Sequence, residues 1–126
     1  MTRPTILVAD DYPQNLTLFT VYLRNDYEVV TASSAEAAAA RVAQGVDAAL
    51  LDLNYQGGMT GLECIQHIRA NPATADLPAM ALTAHASPED RVRCLAAGFD
   101  DYLAKPVLKA QMLQAIETLF AQKAAA

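Results

Sequence analysis

The chain has 126 residues, 53% of them apolar, with 9 basic and 14 acidic side chains and a formal net charge of −5. That length suits one domain, which buries roughly two-thirds of the surface its unfolded chain exposes. The lack of a Lys/Arg stripe argues against a nucleic-acid partner, and no run approaches the roughly 18 uninterrupted apolar residues of a membrane helix.

No signal peptide is recognisable at the N-terminus, and Cys64 and Cys94 stand apart with no C-x-x-C spacing or companion histidines. They are expected to be small buried hydrophobes in a reducing cytoplasm.

Thr5 to Ala9 is a continuous apolar run, the pattern of a strand covered on both faces, and it ends in Asp10-Asp11. Pro13 opens a helical segment with Leu16, Phe19, Val21 and Leu23, since proline is tolerated where the first helical N–H groups have no internal partner. Tyr27 to Ala32 reads as a second strand. Ser33-Ser34-Ala35-Glu36 has capping-box spacing before an Ala-rich helix that stops at Gly45. Asp47 to Leu51 is a third strand delivering Asp52, and Asn54 to Gly58 is a loop. Thr60 and Glu63 repeat the capping signature ahead of a helix whose stripe is Leu62, Ile65 and Ile68 and which breaks at Asn71-Pro72.

Pro78 to Leu82 is a fourth strand ending at Thr83. Ser87-Pro88-Glu89-Asp90 supplies an N-cap, a first-turn proline and two first-turn acids for a helix closed by Gly98. Tyr102 to Ala104 is a fifth strand running into Lys105-Pro106, and Val107 to Phe120 is a final amphipathic helix. Residues 1–122 are expected to form the domain and 123–126 a frayed tail. A βα alternation repeated five times closes as a parallel sheet with helices on both faces.

In such a sheet the strand ends share one edge, so Asp10, Asp11, Asp52, Thr83 and Lys105 are expected to meet in one pocket. Any one of them alone is an ordinary surface or helix-start residue. Three carboxylates that close push protons back onto one another unless a cation neutralises them, which predicts a hard divalent metal with oxygen ligands. Magnesium with a phosphoryl group fits that demand.

The motifs Ile6-Leu7-Val8-Ala9-Asp10-Asp11, Leu50-Leu51-Asp52-Leu53-Asn54, Ala81-Leu82-Thr83-Ala84 and Asp101-Tyr102-Leu103-Ala104-Lys105-Pro106 resemble those of receiver domains of two-component response regulators, in order and over nearly the whole chain. The resemblance implies a flavodoxin-like, doubly wound, five-stranded parallel sheet in the order 2-1-3-4-5. It makes Asp52 the acceptor of a phosphoryl group from a histidine kinase or histidine phosphotransfer protein. Mg2+ would be bound by Asp11 and Asp52, by Asp10 largely through a water, and by the backbone carbonyl of Asn54. Lys105 would neutralise the transferring group, and Thr83 and Tyr102 would be the switch. The face of the fourth helix, fifth strand and fifth helix would carry the signal to a protein target, and Lys105-Pro106 would be a cis peptide. The module would catalyse only its own phosphorylation and dephosphorylation, with neither nucleic acid nor membrane as partner.

The loop after Asp52 departs from the common receiver pattern. Tyr55-Gln56 stands where many receivers have an apolar residue and then proline, so a looser loop is expected beside the metal. His85, two residues beyond Thr83, is expected to modulate attack by water together with Asn54. Two other classes share some of these features. A small Mg2+-dependent phosphohydrolase with an Asp nucleophile needs a second carboxylate two residues later, where this chain has Asn54. A flavodoxin-like cofactor binder fits the sheet and leaves the acidic cluster unexplained.

Overall fold

Five parallel strands pair in the order β2-β1-β3-β4-β5 in the computed structural model, which describes residues 3–84 and 87–125. In chain order the elements are β1 (Thr5–Ala9), α1 (Pro13–Leu23), β2 (Glu28–Ala32), α2 (Ala35–Gln44), β3 (Ala48–Asp52), α3 (Gly61–Ala70), β4 (Ala79–Thr83), α4 (Pro88–Ala97), β5 (Asp101–Ala104) and α5 (Lys109–Ala125). The predicted fold class and strand order are those observed.

Successive strand side chains point to opposite faces, so each strand feeds two cores. Leu7, Ala9, Ala49, Leu51, Ala79 and Ala81 pack with buried residues of α2, α3 and α4 on one side. Ile6, Val8, Ala48, Leu50, Met80 and Leu82 pack with Phe19 and Leu23 of α1 and Met112, Ile116 and Leu119 of α5 on the other. The central strands read as unbroken apolar runs because both of their faces are covered.

Two helix starts follow the sequence signals closely. Thr60 and Glu63 form a reciprocal capping box on α3, as Ser87 and Asp90 do on α4. The capping box expected for α2 does not form. Ser34 takes the cap alone, accepting from Ala37 N, which leaves Glu36 free to reach the Met59 N–H at 3.1 Å. β3 and β4 each run one residue further than expected, through Asp52 and Thr83, because the parallel register continues there, Asp52 opposite Leu82 and Thr83 opposite Ala104.

α5 starts later and ends later than its apolar pattern indicates. The Gln111 side chain accepts from Leu108 N, so the helix begins at Lys109. At its far end Lys123, expected in a frayed tail, pairs with Asp100 at 3.0 Å, and the helix continues to Ala125. Among the described residues no helix is long and apolar enough to cross a membrane.

Candidate functional site

The register sets the site. Ala9 lies opposite Leu51, Asp52 opposite Leu82 and Thr83 opposite Ala104. The residues at or just beyond these pairs, Asp10, Asp52, Thr83 and Lys105, therefore lie along the C-terminal edge of β1, β3, β4 and β5. Backbone bonds hold this edge together: Leu53 N donates to Leu82 O at 3.2 Å and Lys105 N to Thr83 O at 2.7 Å. The Lys105-Pro106 peptide bond is cis, as the resemblance implies.

Lys105 joins residues far apart in sequence. Its Nζ donates to Asp10 Oδ2 at 2.7 Å and to Asp52 Oδ2 at 2.9 Å. Asp52 Oδ1 accepts from Asn54 N at 3.1 Å. Asp10, fully buried, also accepts from Tyr12 N at 2.9 Å and from Asn15 Nδ2 at 3.2 Å. Asp11 completes the cluster, with one carboxylate oxygen from each of Asp10, Asp11 and Asp52 lying within 4.8 Å of the others.

Charge is unevenly matched here, with three carboxylates facing one ammonium. Burial pushes the Asp52 carboxyl above its ordinary 3.8, and the neighbouring Asp10 charge adds to that push. The hydrogen bonds from Lys105 and Asn54 and the Lys105 charge offset it only in part. Burial alone would lower Lys105, but its two carboxylate partners outweigh burial and raise it. The ammonium is thus secured while the acids share too little positive charge. Hard oxygen donors with excess negative charge fit Mg2+ by size and type.

Thr83 is fully buried at the end of β4. With Asn54 it lines a cleft of about 370 Å³ between the loop after β3 and α4, whose far wall includes Asp90 and Arg93. Tyr102 stands apart from the acidic cluster, half-buried against the α2–α3–α4 side of the core, with the Arg91 guanidinium 5.6 Å from its ring centre. His85 lies outside the described residues. His67 is exposed on α3.

Two contributors were not foreseen. Asn15 is the third residue of α1, the position from which a polar side chain turns back over the helix start, so its spacing from Asp10 was a usable signal. Tyr55 stands at the apolar position just before Gln56, which takes the place of the common proline. Its ring packs inward against the core and its hydroxyl donates to Ala9 O at 3.3 Å, so the loop has a side-chain anchor where a backbone restraint is missing. Loop residues carry no periodic pattern that would have shown this. Burial, with the nearby Asp52 charge, pushes the Tyr55 hydroxyl strongly upward and keeps it a neutral donor.

Residues 6–117 match the family described as the response regulator receiver domain. The chain is 35% identical over 118 residues to an uncharacterized 14.6 kDa protein of Leptolyngbya boryana, covering 93% of this chain and 90% of that one. It is 32% identical over 120 residues to the phosphate regulon transcriptional regulatory protein PhoB of Escherichia coli K12, covering 94% of this chain and about half (52%) of that relative. Among solved structures, the chemotaxis response regulator CheY4 of Vibrio cholerae superposes with a TM-score of 0.88 at 27% identity, over 94% of this chain and 99% of that one. With the sheet order and an acidic pocket that fits a phosphoacceptor aspartate and Mg2+, this match over most of its length shows that the chain belongs to the receiver domain family of response regulators.

Proposed function

We propose that Asp52 accepts a phosphoryl group from the phosphohistidine of a histidine kinase or a histidine phosphotransfer protein. The observation that carries this reading is the Lys105 bridge, which holds Oδ2 of Asp52 and of Asp10 on one ammonium beside the third carboxylate. An Asp52 carboxylate oxygen attacks phosphorus, the P–N bond to the donor imidazole breaks as the O–P bond forms, and the imidazole nitrogen keeps the electron pair and takes up a proton. Such a transfer asks a protein chiefly for positioning and for neutralisation of the transferring oxygens. Lys105 neutralises from one side. Asp10, Asp11 and Asp52, with the Asn54 carbonyl, would hold Mg2+, which when bound supplies the remaining positive charge. Asn15 and the Tyr12 N–H keep Asp10 oriented.

Thr83 and Tyr102 are the proposed readout, Thr83 hydrogen-bonding the phosphoryl group and Tyr102 moving inward behind it. The phosphoryl group shifts the switch only as far as it binds the active arrangement better than the other. The α4-β5-α5 face would then present the altered surface to a cytoplasmic protein target. His85, with Asn54, is proposed to govern attack of water on the acyl phosphate. Hydrolysis of its own phosphoryl mark is the only turnover proposed. A phosphohydrolase reading gains nothing from the site, where the second position after Asp52 presents a backbone N–H to Oδ1.

Intact-mass analysis after incubation with Mg2+ and acetyl phosphate tests the proposal. A single Mg2+-dependent phosphoryl adduct, absent in Asp52→Ala, is expected. An adduct that persists in Asp52→Ala would refute the assignment.

A further inference from the structure

The loop between β3 and α3 is fastened by side chains at both ends. At its start the Tyr55 ring packs into the core and its hydroxyl donates to the carbonyl of Ala9, the last residue of β1, at 3.3 Å. Ala9 immediately precedes Asp10-Asp11. At the other end Glu36 of α2 accepts from Met59 N at 3.1 Å. Between the ties the backbone turns through Gly57 at φ +77 and Gly58 at φ +70, a region disfavoured for residues with a Cβ. A Cβ on Gly58 would overlap the same Glu36 carboxylate oxygen.

We propose that Tyr55 is a positioning residue of the acidic pocket: its hydroxyl couples the end of β1, which bears Asp10 and Asp11, to the loop that bears Asn54, while Glu36 secures that loop's far end. The inference rests on the reading of the pocket as a Mg2+ site. A phenyl ring would fill the core as well as Tyr55 does. What distinguishes the tyrosine is that its hydroxyl reaches the carbonyl next to the metal-binding pair, so the two walls of the pocket cannot separate without breaking that bond. Glu36 acts at longer range, through Met59.

The test is calorimetric titration of Mg2+ into the unphosphorylated wild type, Tyr55→Phe, Glu36→Ala and Glu36→Gln, with Asp52→Asn as control. Loss of one neutral hydrogen bond is expected to weaken Mg2+ binding about fivefold in Tyr55→Phe. Glu36→Ala should weaken it by a smaller factor, and Glu36→Gln should restore it, since an amide oxygen also accepts from Met59 N. The amide resonances of Asp11 and Asn54 should shift together in Tyr55→Phe. A merely structural tie would lower the unfolding midpoint and leave the affinity of the folded protein within twofold of wild type. That result would overturn the inference alone. A wild type that binds no Mg2+ would overturn the reading of the pocket and the inference with it.

Discussion

Lys105 serves two carboxylates at once, and the consequence falls on Asp52. Because its folded-state pKa is raised, the protonated form contributes stability that is fully present below the ordinary value of 3.8 and is lost as pH rises through the folded value. At neutral pH the charged Asp52 therefore works against the fold. Asp52→Asn is expected to raise the unfolding free energy at pH 7 without Mg2+, with the gain shrinking as pH falls through the folded value and little of it left below pH 3.8. Added Mg2+ should close the gap from the other side by stabilising only the wild type. Denaturant melts at both pH values decide this. A destabilised variant at pH 7 would mean that the bonds from Lys105 and Asn54 outweigh burial. Cys64 makes a parallel case away from the site: burial pushes its thiol up to about 11, and Sγ donates to Ala35 O at 3.5 Å. Thiol reagents at pH 8 should therefore label folded Cys64 only at the rate of global opening. Fast labelling of the native protein would contradict this burial.

Elements meet most closely where α3 begins. Gly61 donates to Leu53 O at 3.0 Å, and a Cβ there would overlap the Asp52 carbonyl oxygen and lie 2.7 Å from Leu53 Cα. The helix start thus presses directly on the backbone that carries Asp52, the proposed phosphoacceptor. Gly61→Ala is expected to cost about 3 kcal/mol and to slow phosphorylation at Asp52, measured by denaturant melts and by adduct formation in mass spectra. An alanine tolerated in both assays would mean that α3 can retreat from β3 at little cost. This close approach is one part of the site that the sequence could not show. The strand ends bearing Asp10, Asp52, Thr83 and Lys105 were legible because apolar runs and parallel pairing place them together. The caps of α3 and α4 were legible because each is settled within four residues. Ser33-Ser34-Ala35-Glu36 carries the same local signal, yet Glu36 turns to Met59, 23 positions away. Local spacing holds no information about which of two partners a carboxylate takes. The extension of α5 was hidden for the same reason, since Lys123 meets Asp100 only in the folded molecule.

Across the whole molecule the two edges of the sheet divide the work. The C-terminal edge gathers like charge, which favours a ligand at the expense of stability. The opposite edge is where the chain is fastened. There Arg69 of α3 donates through Nε to Gly98 O at 2.9 Å, through one terminal nitrogen to Leu77 O at 2.6 Å and Ala75 O at 3.1 Å, and through the other to Asp100 Oδ2 at 3.1 Å. Asp100 in turn accepts from Ala79 N at 2.9 Å and pairs with Lys123. One guanidinium thus ties α3 to the segments entering β4 and β5 and, through Asp100, to the end of α5. Its planar fork suits several carbonyls at once, and a lysine could not replace it. The Arg69 side chain is only 18% exposed, so its removal takes one of two cationic partners from Asp100 and leaves several carbonyls short of a donor. Arg69→Met, which keeps the apolar stem, is expected to lower unfolding stability by about 2 kcal/mol or more. Because no part of this network reaches the opposite edge, the folded fraction should still acquire the Mg2+-dependent adduct at a rate within about twofold of wild type, roughly 0.4 kcal/mol in barrier height. Melts and phosphorylation time courses on the same variant separate the two effects. A phosphorylation rate that falls in step with stability would show that the edges are coupled through the strands rather than independent.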